Sequence, residues 1–461
     1  MSDDADARDS FELFDARLQP GGMQPVPVVD VNLDDPPAVR WAWVASYAQH
    51  FNAARQLILG EIGIEADAPT PLWVRAGARV ILSAVPSAMR VELEACSAVC
   101  GVPASELALL NYLYELKAKC SSFVVARHDG RPLHARTLDW PGCAVLCECT
   151  VRLRFLRGGS LLYESLTWPG YLGVMTACAP GRFSLSFNFR ADERAQLPWE
   201  LPGEGAAHTI VSEVLRRGVA MLGSLTGRCR SVGFAVRQLL EEEEPALVSF
   251  DGALERLSRV ALVAPVYFTL CGTNPGEGAV LVRGPAPIPS PAAADDGEGW
   301  RVRRLSDPAV TCNGLLYQAN ADLAVSAGAA ALAALKEEEE GGFVSWDRIR
   351  KAQRLARKYG PVYDLADVVD MLTAPPIANE ITIFSCVLDP SGTSGRAVHC
   401  GRHCEFEEVY YDDEYHDIEV KLPTRRAGSS WRGRIGGRGS CAVGRGRGRG
   451  RGIAKKRRGR G

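Results

Sequence analysis

The spacing of apolar positions divides the chain into a helical first part and a strand-rich second part. A short apolar run at residues 26–33 predicts a strand, after which apolar side chains recur at the period of an α-helix. Helices are predicted over residues 37–58, 72–85, 90–99 and 106–118, the last with Ser105 as its N-cap.

From Cys120 onward the apolar period becomes that of strands. Two hairpins are predicted, one around Asp129-Gly130 and one at 265–284. Further strands are expected at 145–156, 160–166, 170–177, 182–189, 314–320 and 380–389, and helices at 208–222, 233–244, 251–262, 345–358 and 363–374. This order favours a layered α+β or α/β fold built largely from antiparallel hairpins.

The net charge of −2 conceals two oppositely charged parts. Residues 425–461 contain 12 Arg, 2 Lys and no acidic residue, so this Arg-Gly segment carries +14 and the rest of the chain −16. We expect residues 413–461 to form a disordered basic tail. Non-specific contact with nucleic acid phosphates is one interpretation of the tail, and an extension without its own function is the other.

Composition excludes several classes of protein. No stretch approaches the roughly 20 consecutive apolar residues of a membrane helix. The acidic first 20 residues lack a signal-peptide core and no Asn-x-Ser/Thr sequon occurs, which favours a cytoplasmic location. The 14 cysteines are too sparse for a disulfide scaffold and lie mostly in apolar runs, so we expect reduced, buried thiols.

The first hairpin brings a thiol, a guanidinium and a carboxylate together. With Asp129-Gly130 as a two-residue loop, Cys120 is predicted to lie directly opposite Asp139. A carboxylate alone disfavours a thiolate, so a cation is needed, and Arg136 is the nearest. A strict ladder places Arg136 on the other face from Asp139, so this arrangement requires a bulge.

The segment CSSFVVARHDGRPLHARTLDW, residues 120–140, resembles the start of the catalytic chain of the acid ceramidase and N-acylethanolamine acid amidase family. These proteins are N-terminal-nucleophile hydrolases of the cholylglycine-hydrolase group, whose catalytic chains begin Cys-Thr-Ser-Ile-Val-Ala and continue to Gly-Arg-Asn-Leu-Asp. The similarity continues collinearly through GYLGVMTACAPGRFSLSFN and VALVAPVYFTLCGTNPGEGAVLVR, and spans about residues 26–390.

The resemblance implies a four-layer αββα sandwich and self-cleavage before Cys120. Residues 1–119 then form a mostly helical α chain, which partners the catalytic β chain at 120–412. Cys120 is implied to be the nucleophile, with its own α-amine as general base. Arg136 and Asp139 are implied to orient the thiol and the amine, and no metal or organic cofactor is required.

Two more site residues follow from the resemblance. Asn320 in YQANAD matches the asparagine that helps to hold the oxyanion, although an asparagine after a strand is also a common turn residue. Arg348 is the best match to a later family arginine, with Arg350 and a solvated helix face as alternatives. The family glutamate in its Asn/Asp-Glu-Arg segment is replaced here by Phe189, and Glu193 reaches that position only by a shift in register.

A Cys-x-x-x-Cys pair near the end of the family corresponds to Cys400 and Cys404. The resemblance implies a disulfide for this pair in an oxidising compartment and free thiols otherwise. The surrounding HisCysGlyArgHisCys at 399–404 does not have the usual spacing of zinc ligands.

The expected function is amide hydrolysis of a lipid such as a ceramide or an N-acylethanolamine, giving a fatty acid and an amine. The resemblance also implies transient contact with a membrane surface and a lysosomal location, which differs from the location that composition favours. Two alternatives remain. One is the same chemistry on a penicillin-like or bile-salt-like amide, and the other is a catalytically degenerate family member, with Phe189 in place of the glutamate, that acts as a binding protein through its basic tail.

Overall fold

Two β-sheets stacked face to face form the centre of the molecule. The structure is a computed structural model, and it describes residues 26–50, 72–113, 119–140, 143–190, 230–244, 248–284, 302–320, 345–379, 381–392 and 398–400. All of these residues belong to one compact unit.

The larger sheet has eight strands in the order β1-β4-β5-β6-β7-β8-β9-β10. Its strands are β1 Val28–Asn32, β4 Val151–Arg157, β5 Ser160–Thr167, β6 Thr176–Ala179, β7 Phe183–Phe189, β8 Val266–Cys271, β9 Gly278–Arg283 and β10 Val302–Arg304. All neighbours are antiparallel except β1, which pairs in parallel with β4.

The smaller sheet has five strands in the order β11-β2-β3-β12-β13, all antiparallel. Its strands are β2 Lys119–Ala126, β3 Pro132–Asp139, β11 Leu315–Gln318, β12 Thr382–Leu388 and β13 Val398–Cys400. Strands β2 and β3 are central and buried on both faces, so they lack the polar-apolar alternation of a half-exposed strand.

Helices cover the outer face of each sheet. They are α1 Pro37–Arg40, α2 Leu72–Ala84, α3 Ser87–Cys100, α4 Ala104–Leu113, α5 Cys143–Cys149, α6 Val232–Leu240, α7 Phe250–Arg259, α8 Ser345–Tyr359 and α9 Leu365–Thr373, with a 3-10 helix at Ala42–Tyr47. Helices α8 and α9 pack on the smaller sheet, and α7 packs on β8 and β9 of the larger one. The order helix, sheet, sheet, helix confirms the predicted αββα sandwich.

The predicted N-terminal segment is part of this sandwich. Its strand β1 forms one edge of the larger sheet, and buried side chains of α3 and α4 share the main core with strands that follow Cys120. Among the described residues no single helix is long and apolar enough to cross a membrane, although α3 and α4 reach that limit as one pair bent by 119°.

Most predicted elements are present, and three local predictions are wrong. Helix α4 begins at Ala104, so Ser105 lies in its first turn and is not the N-cap. Residues 143–149 are helical where a strand was predicted, and residues 170–175 are irregular. The predicted helix at 208–222, residues 285–301 and 321–344, and the segment 401–461 lie outside the described residues.

The hairpin between β2 and β3 has a three-residue loop, which changes the predicted register by one position. The backbone N–H of Arg127 donates to the carbonyl of Arg131 at 2.9 Å, and Gly130 has a φ of 80°. A glycine in the left-handed region is typical of this longer loop. Cys120 therefore lies opposite Leu138, and Lys119 lies opposite Asp139, so the predicted Cys120–Asp139 pair is wrong.

Candidate active site

Cys120 and Arg136 share the face of the smaller sheet that meets the larger sheet. Both side chains are buried, and the corrected register places them on the same side of neighbouring strands, without the bulge that the sequence argument needed. Arg136 Nη2 lies 3.2 Å from Cys120 Sγ. The guanidinium is oriented by the Met175 carbonyl, 2.5 Å from Nη1, and by the hydroxyl of Thr176. A positive charge thus lies where a thiolate would develop.

Asp139 projects from the opposite face of the same hairpin, toward helix α8. Its Oδ2 lies 3.3 Å from Arg348 Nη1, and its Oδ1 accepts a hydrogen bond of 2.7 Å from the Thr382 hydroxyl. Burial raises the pKa of the Asp139 carboxyl, and Arg348 and Thr382 offset part of that rise.

Asn320 connects the ion pair of Asp139 and Arg348 to the backbone of Cys120. Its Oδ1 accepts a 2.8 Å bond from the backbone nitrogen of Cys120 and a 2.9 Å bond from Arg348 Nη2. Its Nδ2 donates to the Phe189 carbonyl at 2.8 Å. Two donors at Oδ1 fix the orientation of the amide. Asn320 Oδ1 therefore accepts from the backbone nitrogen of Cys120, while Asn320 Nδ2, the group that an oxyanion role would use, donates to the Phe189 carbonyl.

The structure thus brings together all five predicted site residues: Cys120, Arg136, Asp139, Asn320 and Arg348. On one face of the smaller sheet, Arg136 contacts the thiol of Cys120. On the other face, hydrogen bonds lead from the backbone nitrogen of Cys120 through Asn320 and Arg348 to Asp139. Arg350, the alternative to Arg348, pairs with Asp347 at 3.5 Å on the partly exposed side of α8 and is outside the site.

Several polar neighbours were not predicted. The Ser121 hydroxyl lies between the Tyr317 hydroxyl, 2.7 Å away, and Arg348 Nη1, 3.3 Å away. Thr382 reaches Asp139 from β12. Adjacent serines inside an otherwise apolar strand were the available signal for Ser121, whereas Tyr317 and Thr382 lie in strands whose pairing the sequence does not specify.

Phe189 ends β7 where the family has a glutamate. Its side chain is partly buried and packs against the main core, and its carbonyl anchors Asn320. Glu193, which was considered as a substitute carboxylate, lies outside the described residues. Asn188, next to Phe189, is buried and directs its amide toward the backbone around Cys120.

Several known proteins are similar in sequence to this chain. No protein-family model matches the chain. It is 29% identical over 269 residues to an N-acylethanolamine-hydrolyzing acid amidase from Oryctolagus cuniculus, covering 57% of this chain and 66% of that protein. It is 24% identical over 371 residues to such an amidase from Caenorhabditis elegans, covering 78% and 88%, and 28% identical over 276 residues to an acid ceramidase from Mus musculus, covering 56% and 64%.

A solved structure of a Caenorhabditis elegans N-acylethanolamine-hydrolyzing acid amidase ortholog matches with a TM-score of 0.43 at 24% identity, covering 60% of this chain and 95% of that one. The present chain spans about two thirds of the length of the rabbit relative.

Fold and site together define the class. A cysteine near the start of an inner strand of an αββα sandwich, with its backbone nitrogen and its thiol both held by polar partners, is the arrangement of a cysteine N-terminal-nucleophile hydrolase. Within that class, the chain is similar to acid ceramidases and N-acylethanolamine-hydrolyzing acid amidases at 24–29% identity.

Proposed function

We propose that this protein is a self-processing cysteine amidohydrolase that cleaves a lipid amide, such as a ceramide or an N-acylethanolamine, to a fatty acid and an amine. The observation that carries the proposal is the convergence of Arg136 on the thiol of Cys120 and of Asn320 on its backbone nitrogen. The relatives are named as amidases of N-acylethanolamines and as acid ceramidases, and these names support this class of substrate.

Self-processing begins at the peptide bond between Lys119 and Cys120. The Cys120 sulfur attacks the Lys119 carbonyl carbon, the C–N bond breaks, and a thioester to Lys119 replaces the amide. Water then hydrolyses the thioester, which leaves a carboxylate on Lys119 and frees both the thiol and the α-amine of Cys120. Asn320 Oδ1, which accepts from the Cys120 nitrogen at 2.8 Å, is placed to hold that amine.

Hydrolysis of a substrate amide reuses the same groups. The neutral α-amine takes the thiol proton as the sulfur attacks the acyl carbon, and returns a proton to the leaving amine. Arg136 stabilises the negative sulfur. Water then attacks the acyl thioester and releases the fatty acid. Arg348 and Asp139 keep Asn320, and through it the amine, in position.

Because Phe189 replaces the family glutamate, we propose that the protonation steps depend on the α-amine of Cys120. The word "acid" in the relatives' names supports a working pH below neutral, and with it the lysosomal location that the resemblance implies.

Hydrolysis of a substrate panel tests the proposal. Ceramides and N-acylethanolamines of several acyl lengths are incubated with the protein at acidic and neutral pH, with a penicillin and a bile-salt amide as comparisons. We expect turnover of at least one lipid amide, its loss in Cys120→Ala, and its retention in Cys312→Ala, which removes a half-buried thiol outside the site. No hydrolysis of any amide, together with nucleic-acid binding that is lost on deleting residues 425–461, would favour the degenerate binding protein instead.

A further inference from the structure

A line of buried polar side chains crosses the apolar layer between the two sheets. We call it the inter-sheet seam, and its members are Ser122, His134, Ser184, Ser186 and Asn188, all buried. His134 Nδ1 lies 3.0 Å from Ser184 Oγ, and His134 Nε2 lies 2.9 Å from Ser186 Oγ. Ser186 Oγ lies 2.9 Å from Ser122 Oγ, which lies 2.7 Å from Asn188 Oδ1.

The proton positions along the seam follow from the acceptor at its end. The Asn188 amide is oriented by its Nδ2, which faces the carbonyls of Gln318 and Ala319 at 3.0 and 3.3 Å. Its Oδ1 can therefore only accept, and the single hydroxyl proton of Ser122 must point to it. Ser122 then accepts from Ser186.

The remaining donors and acceptors of the seam are those between His134 and its two serine neighbours. Because the hydroxyl proton of Ser186 points to Ser122, Ser186 must accept from His134, so the imidazole carries its proton on Nε2. In a neutral imidazole Nδ1 is then an acceptor, and the Ser184 hydroxyl donates to it. Burial, with a smaller contribution from the charge of Arg136, lowers the pKa of His134 to about 3, in agreement with a neutral ring.

Asn188, at one end of the inter-sheet seam, contacts backbone carbonyls at and next to the candidate site residues Cys120 and Asn320. Asn188 Nδ2 lies 3.5 Å from the Cys120 carbonyl, in addition to its contacts with the two carbonyls that precede Asn320. One side chain of the larger sheet thus holds two segments of the smaller sheet, one with the nucleophile and one with the acceptor for its amine.

We propose that His134 is a positioning residue that acts through Ser186, Ser122 and Asn188 to fix the relative placement of Cys120 and Asn320. The inference rests on the proposed amidase function. Its directional part, a neutral imidazole with the proton on Nε2, follows from the hydrogen bonds alone. Ser184 lies on the other side of the ring and outside the path to Asn188.

Two serines on β7 provide a matched test. Ser186→Ala and Ser184→Ala each remove one buried hydroxyl that contacts His134, but only Ser186 connects the ring to Asn188. We expect Ser186→Ala to lower kcat for the lipid amide by about tenfold with KM within about twofold, and Ser184→Ala to change kcat by less than about twofold. A purely structural role of the serines would give equal losses, and that result would overturn the proposal.

His134 itself is tested by substitution and by NMR. His134→Gln keeps one donor and one acceptor and should retain most of the kcat that His134→Leu loses. Nitrogen NMR of histidine-labelled protein, with His134→Gln to assign the resonance, should show a neutral ring protonated on Nε2 at acidic pH. A ring protonated on Nδ1 or a charged ring would overturn the proposed order of hydrogen bonds along the inter-sheet seam. An inactive wild-type protein with the expected tautomer would contradict the amidase function and leave the hydrogen-bond order established.

Discussion

Arg136 places a guanidinium 3.2 Å from the sulfur of Cys120. Its guanidinium contacts the Met175 carbonyl, the Thr176 hydroxyl and the thiol at once, which fixes the cation against the nucleophile. A lysine keeps the charge but lacks the planar fork that makes several directed contacts.

The first prediction concerns this cation. Arg136→Lys should lower kcat/KM by about 100-fold, equivalent to about 2.7 kcal/mol, and should slow alkylation of Cys120 in parallel. The measurements are steady-state kinetics and the rate of thiol alkylation followed by mass spectrometry. Arg131→Lys, an exposed arginine of the same hairpin, is the control. Unchanged alkylation in Arg136→Lys would show that the sulfur does not depend on the directed contacts of the guanidinium.

The second prediction concerns the pH dependence that Asp139 contributes. Burial raises its pKa above the ordinary aspartate value, so Asp139 gains its proton at a higher pH than a free aspartate does. The neutral form releases Arg348, and activity should therefore fall as the pH decreases through the raised pKa. In Asp139→Asn, kcat/KM should be low at every pH and should not show this fall on the acidic side of the profile.

The pH profile of kcat/KM tests this assignment, with Asp129→Asn in the exposed hairpin loop as the control. An unchanged acid limb in Asp139→Asn would assign the limb to another group.

At the scale of elements, helix α8 shows why Arg348 and not Arg350 enters the site. Arg348 lies one and two turns before Ala352 and Ala356, which are both buried against the smaller sheet. The corresponding positions after Arg350 are Arg354 and Lys358, which are exposed. This stripe is visible in the sequence and is the signal that separates the two arginines without reference to any family.

The third prediction uses this pair of arginines. Arg348→Lys should lower kcat/KM by about 100-fold, because a single ammonium cannot bridge Asp139 and Asn320 as the guanidinium does. Arg350→Lys, two residues along the same helix, should leave the kinetics unchanged. Equal effects of the two substitutions, measured by steady-state kinetics, would exclude the bridging role.

The hairpin shows what the sequence could and could not provide at this scale. Both strands were predicted, but the predicted register was wrong by one position. Strands β2 and β3 are buried on both faces, so alternation of side chains carries no information about their register. Only the loop length sets the register, and Asp129-Gly130 fits a two-residue loop as well as the observed three-residue one. The inter-sheet seam was missed for a related reason: its serines and His134 become neighbours only when two sheets stack.

At the scale of the molecule, a buried ionic network joins the N-terminal segment to the catalytic part. Glu92 in α3 pairs with Arg40, accepts from the Trp41 indole, and forms a two-point contact with Arg237 of α6, at 2.9 Å and 2.8 Å. Burial alone would raise the pKa of Glu92, but Arg237 and Arg40 outweigh burial and hold the pKa below its ordinary value. Arg237 lies beyond Cys120, so the network crosses the proposed cleavage point.

The fourth prediction follows from this network. Glu92→Gln should lower the free energy of unfolding by about 3–5 kcal/mol, because it leaves Arg237 buried with a weaker partner. With a lowered folded-state pKa, the contribution of Glu92 is present above its unfolded pKa and is lost as the pH falls through the folded value. The processed chains of the wild type should therefore stay together at mildly acidic pH and separate more readily in the variant.

Thermal unfolding and size-exclusion chromatography at several pH values measure this, with Glu94→Gln on the exposed side of α3 as the control. Equal stability of the two variants would contradict the role of the network.

The whole-chain pattern shows how far sequence reasoning reaches. Cys120, Arg136 and Asp139 could be grouped because one hairpin contains them, and the αββα order follows from the resemblance. Asn320 and Arg348 lie about 200 residues away from Cys120 in the chain, and only the family pattern connected them to it. The −16 part of the chain contains every residue of the described site.

The central claim is that Cys120 becomes an N-terminal residue by cleavage of its own chain. Intact-mass measurement and N-terminal sequencing of the purified wild-type protein, incubated at acidic pH beside Cys120→Ala and Cys312→Ala, test it directly. We expect two chains in the wild type and in Cys312→Ala, the second beginning at Cys120, and a single uncut chain in Cys120→Ala. An uncut wild-type chain that hydrolyses lipid amides, or a Cys120→Ala chain that is still cleaved at this bond, would contradict it.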